Sequence, residues 1–418
     1  MAVGDLNGSE VARHDSADSC WVIVYGKVYD VTEFVPDHPG GQQSILKHAD
    51  IRQQREEPKH PPQPTGKPPL SHCLNLSDFE SVARQVLDPT SWAYFSSAAD
   101  DEITLQENYR AFHRVWFRPR VMVNVKQIDT STTLLGTRSS LPFYITATAL
   151  NKLAHPDGEV QWMQLYVNED RDVTKQIVQQ AEKRGCKGLF ITVDNPQVGR
   201  REKDLRARQR AASRNGEAWH PEVYQGTSTF LDSTLSWDDL PWFQSITDMP
   251  IVLKGIQSVE DVLQGTEHGV AGVVLSNHGG RQLEFARSSL EVLAETMPVL
   301  RARGLQDKID VFVDGGVRRG TDILKALCLG ARGVGIGRGL LYRLGAYGQP
   351  GVESAIQLLR DELERGMRLL GVRNVGELHA GLVTADSLAR HSGYHIDGPR
   401  ETLYEPLEVI APGGKSKL

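Results

Sequence analysis

Cysteine is scarce in this chain of 418 residues: there are four, Cys20, Cys73, Cys186 and Cys328, with no CxxC pair and no metal-ligand spacing. That excludes a disulfide framework and fits a reducing compartment. Long apolar runs are absent too, so no segment reads as a membrane span. The start, MAVGDLNGSEVARHD, has neither the apolar core of a signal peptide nor an Arg-rich amphipathic transit pattern, and the expectation is a non-secreted protein. There is no excess of basic charge. The formal net charge of -6 disfavours nucleic acid or an anionic membrane as a partner, so a substrate anion must be attracted by local charge. A GxGxxG strand-turn-helix fingerprint is also missing, which argues against a doubly wound dinucleotide-binding sheet.

What is present falls into unlike parts. Residues 21–47 (WVIVYGKVYDVTEFVPDHPGGQQSILK) read as two short β-rich runs around a Tyr-Gly-Lys turn, then a Pro/Gly break and a short helix. The text RQQREEPKHPPQPTGKPPLS that follows is rich in proline and charge and predicts an extended linker. The division expected is a module at 1–51, a linker at 52–71, a large domain at 72–390 and a tail at 391–418. In the large domain, seven apolar strand-length runs (FYITATAL, WMQLYV, GLFITVD, IVLKG, AGVVLSN, DVFVDGG, GVGIG) alternate with amphipathic helical stretches. Near-continuous apolar strands separated by helices predict parallel βαβ units and an α/β fold of the (β/α)8 barrel type. Seven runs are one fewer than closure needs. The polar stretch Arg206 to Thr227 is expected to be a mobile loop over the barrel mouth.

Barrels place their chemistry at the C-terminal ends of the strands. After AGVVLSN come His278, Gly279, Gly280 and Arg281: an imidazole that takes a proton near neutral pH, and a guanidinium fork that suits a carboxylate. GLFITVD ends in Asp194, placed to hold the second imidazole nitrogen. Arg201 offers a second positive group. IVLKG ends in Lys254, whose burial calls for an anionic neighbour. Gly315, Arg318, Gly337 and Arg338, at the ends of the last two strands, have the composition of a phosphate site.

From Tyr94 to Leu370 the chain resembles the FMN-dependent α-hydroxy-acid oxidase and dehydrogenase family, above all its flavocytochrome b2 type. The resemblance rests on AYFSSAADDE, YITATAL, QLYV, TVDNPQVGRREKD, MPIVLKG, VVLSNHGGRQLEF and VFVDGGVRRGTDILKALCLGARGVGIGR. It implies oxidation of an (S)-2-hydroxy acid, L-lactate first among them, with His278 as base and Asp194 as its partner. It further implies that Tyr94, Arg201 and Arg281 hold the substrate carboxylate and Tyr166 the 2-hydroxyl. By the same resemblance Ala147, Thr148, Ala149, Gln164, Thr192, Lys254, Asp314, Gly315, Arg318, Gly337 and Arg338 bind FMN. The N-terminal module, with HPGG at His38 to Gly41, resembles a cytochrome b5-like haem domain. This implies haem b with His38 as one axial ligand, and His60, by spacing, is the candidate for the other. Electrons would leave through haem to cytochrome c, or to oxygen, and the family suggests a homotetramer.

The chain departs from that family in places. The AGKDAT-like text that follows the haem motif in relatives is missing, and Ala98 and Gly339 replace an expected glycine and proline. At Val160–Gln161, HPDGEV runs directly into QWMQLYV, so about one βα unit is missing. A barrel short of a strand keeps two competing expectations in play: a haem electron carrier with a catalytically dead barrel, and a non-functional truncated paralogue. The last three residues, Ser416, Lys417 and Leu418, spell the SKL peroxisomal address, against the alternatives of a mitochondrial intermembrane space or cytoplasmic location.

Overall fold

Period-two alternation within the apolar runs decides which way each side chain points. Leu189 and Ile191, Ile251 and Leu253, Val273 and Leu275, and Val311 and Val313 pack together in the main core. Phe190, Val252, Val274 and Phe312, one residue out of step, form a separate cluster with Leu134, Tyr144 and Trp162. Strands apolar on both faces must be covered on both, which is the condition of a parallel sheet wrapped in helices.

The computed structural model describes residues 2–3, 13–24, 27–35, 66–146, 161–216 and 231–391, in two units, Met1–Lys67 and Pro68–Leu418. His38, His60, Ala147, Thr148, Ala149, Val160 and the SKL tripeptide lie outside the described residues.

In the N-terminal unit, strands β1 (Ala2–Val3), β2 (Asp15–Ser16), β3 (Ser19–Val24) and β4 (Lys27–Asp30) pair antiparallel in the order β1-β4-β3-β2. The two β-rich runs of the sequence meet with Trp21 opposite Asp30 and Val22 opposite Tyr29. Cys20 and Val35 are fully buried there, against Val22 and Val31.

The second unit opens with helices α1 (Leu76–Val86), α2 (Pro89–Ser96) and α3 (Ile103–His113). Short strands β5 (Trp116–Phe117), β6 (Thr132–Leu134) and β7 (Thr137–Ser139) follow; β6 and β7 form a hairpin whose Leu134 enters the inner apolar cluster. The barrel strands are β8 (Phe143–Ile145), β9 (Met163–Leu165), β10 (Leu189–Thr192), β11 (Ile251–Ile256), β12 (Gly272–Leu275), β13 (Asp310–Asp314) and β14 (Gly333–Ile336). All seven lie where the apolar runs predict them. They form one parallel sheet in the order β8-β14-β13-β12-β11-β10-β9. Among the described residues no pairing joins β8 to β9, so the sheet stays open where the eighth strand of a closed barrel would lie. The helices that cover it are α4 (Arg171–Lys183), α5 (Glu202–Arg214), α6 (Leu240–Ile246), α7 (Val259–Glu267), α8 (Ser289–Ala302), α9 (Gly320–Leu329) and α10 (Arg338–Leu370, kinked at Gly348).

One sequence expectation is corrected here. The stretch from Arg206 begins inside helix α5, not in a loop, because Glu202 pairs with Arg206 and the fully buried Asp204 with Arg208, each four residues on. Residues 217–230 lie outside the described part. Cys328 is fully buried, and burial pushes its thiol up to about 12.

Candidate active site

The inward residues change character along the strands. Near one end they are the aromatics and valines just named; at the C-terminal ends they are Gln164, Thr192, Lys254, Ser276 and Asp314. Two loops leave those ends, 194–201 after β10 and 276–282 after β12, and bring together the ionisable groups singled out in the sequence.

His278 sits in the left-handed region at φ 58, as do Gly279 at 64 and Gly280 at 75. A non-glycine residue there costs about 1 kcal/mol, so its surroundings must hold it. Ser276 Oγ accepts from His278 N at 3.1 Å, and Asn277 Oδ1 accepts from Gly280 N at 3.0 Å. Asn277 is locked in turn by a reciprocal amide pair with Asn108 of α3, both bonds 2.7 Å. Gly280 admits no side chain, since a Cβ would stand 2.6 Å from Leu105 N.

The imidazole is thereby aimed. Its Nδ1 lies 2.9 Å from Asp194 Oδ1 and its Nε2 3.2 Å from the Tyr166 hydroxyl. Burial disfavours charge on Asp194, but His278, their hydrogen bond and Lys254 outweigh it and hold the carboxyl below its usual range. An ionised Asp194 fixes the tautomer: the proton sits on Nδ1 and the lone pair of Nε2 faces Tyr166. Burial and the nearby Lys254 ammonium pull His278 below the ordinary imidazole value, against Asp194. The result is a neutral, largely shielded imidazole at neutral pH. Burial raises the Tyr166 hydroxyl, which stays protonated.

Lys254 is 4% exposed, with Nζ 3.7 Å from Asp314 Oδ2 and 3.4 Å from Ser276 Oγ. Burial opposes its charge, yet Asp314, Asp194 and Tyr166 together leave it raised and cationic. Arg201 is buried, and its Nε has no hydrogen-bond partner among the described residues. Arg281 donates through Nη1 to the Tyr94 and Ser97 carbonyls and lies 5.1 Å over the Tyr94 ring.

Tyr94, Gln164, Tyr166, Arg201, Lys254, His278, Arg281, Asp314, Gly315, Arg318, Gly337 and Arg338 all line one cavity of about 480 Å³. Thr192 stands behind Gln164, accepting from its amide at 2.6 Å, and Asp194 stands behind His278. A smaller cavity of about 250 Å³, which Tyr166 also lines, has no cation among its lining residues.

A phosphorylated flavin fits one wall of this cavity. Gly337 is the N-cap of α10 and gives no side-chain cap, so the first N–H groups of that helix point to the cavity edge as an anion site. Lys254 adds a buried cation to the cavity wall. The two arginines are occupied in this structure: Arg318 pairs with Glu80, and Arg338 donates to the Phe95, Gly279 and Ser97 carbonyls at 2.8 to 2.9 Å.

Sequence reasoning did not single out Asn108, Asn277, Gln282 and Glu284. Asn277 and Gln282 stand inside the motif SNHGGRQLEF, next to residues it did single out; Asn108, on a distant helix, leaves no local signal.

Comparison with known proteins gives the following. A family model described as FMN-dependent dehydrogenase matches residues 83–161 and 160–385, two pieces that meet where the sequence places the missing βα unit. A second, cytochrome b5-like haem/steroid binding domain, matches 7–51, a span that stops short of His60. The L-lactate dehydrogenase (cytochrome) of Wickerhamomyces anomalus is 45% identical over 478 residues, covering 96% of this chain and 83% of that protein. That alignment is longer than the chain, so stretches of the relative have no counterpart here. Spinach (Spinacia oleracea) glycolate oxidase is 37% identical, covering 75% of this chain and 96% of its own length. The solved flavin-binding domain of baker's yeast flavocytochrome b2 matches with a TM-score of 0.72 at 44% identity, covering 82% of this chain and 95% of that one.

Proposed function

Because the chain belongs to the FMN-dependent dehydrogenase family, in the branch that joins a cytochrome b5-like module to the flavin domain, we propose that it oxidises an (S)-2-hydroxy acid, L-lactate first among candidates, to the 2-oxo acid. The observation that carries this reading is the ordered series Asp194, His278, Tyr166, which opens into a cavity holding buried cations and an uncapped helix N-terminus.

FMN, when bound, supplies the acceptor of two electrons. Gln164, Thr192, Lys254, Asp314, Gly315, Arg318, Gly337 and Arg338 are the residues that would hold it, with Ala147, Thr148 and Ala149 from the segment after β8. The rest follows from the protein's own groups. Arg201, Arg281 and Tyr94 bind the substrate carboxylate, and Arg201 brings a buried N–H that has no partner among the described residues. Tyr166 hydrogen-bonds the 2-hydroxyl. His278 accepts at Nε2 the proton that leaves the substrate as C2 is oxidised, and Asp194 stabilises the imidazolium that results. Haem b is assigned to the N-terminal module on its family match, with His38 and His60 as axial candidates. Cytochrome c, or oxygen, is the final acceptor, and the assembly is a homotetramer. The domain limits are 1–51, 52–71 and 72–390, with the tail at 391–418; the SKL tripeptide supports a peroxisomal location over the mitochondrial intermembrane space or the cytoplasm.

The test is anaerobic addition of L-lactate to the flavin-loaded protein. The flavin absorbance is expected to bleach, and His278→Gln to slow that bleaching about 10²–10⁴-fold with flavin content unchanged. An unaltered rate in the variant removes His278 from the role of base. Parallel assays of peroxide and cytochrome c reduction decide the acceptor. The open sheet favours a second reading, a barrel that no longer retains flavin; a haem spectrum without flavin is its signature.

A further inference from the structure

The two loops that carry the proposed catalytic pair come from strands separated by β11, and the contact between Asp194 and His278 is the outcome of their alignment. Each loop is strapped separately to the segment before α3: Ala99 N donates to Gly280 O and Asp100 N to Arg200 O, both at 2.9 Å. Those bonds hold each loop to a third body. They do not set one loop against the other.

The Gln282 side chain does. Gln282 Nε2 donates to Asp194 O at 2.8 Å, Asn195 Oδ1 at 2.7 Å and Gln197 O at 3.0 Å. Its Oε1 accepts from Gly199 N at 3.1 Å. One amide therefore binds four successive points along 194–199 from the loop that bears His278 and Arg281. The backbones touch beneath it: a Cβ on Gly199 would fall 2.3 Å from Arg281 O and 2.9 Å from Gln282 Cα. Only a group that donates on one branch and accepts on the other satisfies this set, and among side chains of this length that is glutamine.

We propose that Gln282 is a positioning residue, which sets the Asp194–His278 hydrogen bond and the spacing of Arg201 from Arg281 by stitching the two loops together. It is not among the residues lining the cavity and acts through Asp194. The inference rests on the reading of His278 as base. Its energetic logic is that half-exposed loop hydrogen bonds matter little to global stability, whereas a displacement of about 1 Å at a reacting pair costs about 100-fold in rate.

Two variants separate the roles of the amide. Gln282→Met keeps the length and removes all four bonds; Gln282→Glu keeps the acceptor for Gly199 N but sets a carboxylate against three acceptor oxygens. In both, kcat/KM with L-lactate is expected to fall about 100-fold, with KM raised, flavin content unchanged and the melting temperature near that of the parent. The acid limb of kcat/KM is expected to move to lower pH, because a loosened Asp194 no longer supports charge on His278. The Nδ1 proton resonance of His278 in NMR spectra is expected to be lost, and that signal needs no turnover. An unchanged resonance and an unchanged acid limb in Gln282→Met overturn the proposal. So does global unfolding of both variants, which makes Gln282 a residue of the fold instead. His278→Gln reports separately: if it still turns over, the base assignment fails, while the resonance in Gln282→Met still judges the stitch.

Discussion

At His278 four influences compete, and their balance sets a pH profile. Burial, Lys254 and Arg281 favour the neutral ring, and Asp194 favours the charged one; the first three prevail. In its proposed role as base His278 must be neutral to act, so activity is expected to be lost as pH falls through the lowered value and to be fully present at neutrality. The acid limb of kcat/KM is expected below the ordinary imidazole value of about 6.5. Asp194→Asn is expected to carry that limb lower still and to reduce kcat about 10²–10⁴-fold, as the tautomer is no longer held; steady-state rates across pH measure both. A second residue makes the opposite kind of statement. Arg343 is fully buried beside an apolar cluster with Phe79 and Tyr342, and none of its three guanidinium nitrogens has a hydrogen-bond partner among the described residues. The Phe79 ring, 4.0 Å from Cζ, compensates in part. Arg343→Met is expected to stabilise the fold by about 1–3 kcal/mol, read as a higher urea midpoint. Of these residues, His278 and Asp194 were legible in the sequence because their type and strand-end position speak for themselves. Arg343 was not: it sits in a helical stretch where a solvated arginine looks the same.

At the scale of elements, α3 shows how distant sequence completes local structure. Its N-cap, Glu102, lies in the left-handed region at φ 59 and offers the helix no side-chain cap, its carboxylate accepting instead from Ala98 N at 2.9 Å. The orphan donors Ile103 N and Thr104 N are met by Glu284, at 3.1 and 2.8 Å, from the loop beyond His278. Glu284→Ala is expected to cost about 1–2 kcal/mol, within the range for a lost helix cap, measurable by chemical unfolding. Because Asn108 of the same helix grips Asn277, a frayed α3 would also loosen the His278 loop. The seven barrel strands were readable as apolar runs, since burial on both faces leaves a dense local signal. Helix α5 was not, because its face is polar and its support comes from charge pairs four residues apart. The cap on α3 had no local signature at all.

The whole molecule turns on one omission. Strand number, tilt and shear are linked in a barrel, and here β8 and β9 end the sheet with no pairing between them among the described residues. Unpaired parallel edges and uncovered apolar faces predict poor solubility and weak flavin retention. Inserting the corresponding βα unit of a flavocytochrome b2 relative between Val160 and Gln161 is expected to raise both flavin stoichiometry and melting temperature; no change in either would show that the chain tolerates the gap. The sequence by itself determined the chemistry and the order of strands, because residue type and period-two patterning are local and survive without the fold. Tertiary structure alone decided that β8 pairs with β14, that Asn108 and Glu284 brace the His278 loop, and that Gln282 joins it to Asp194. Those contacts link residues 88 to 191 positions apart, and a pairing of that kind is selected by global packing, which no local window of sequence contains.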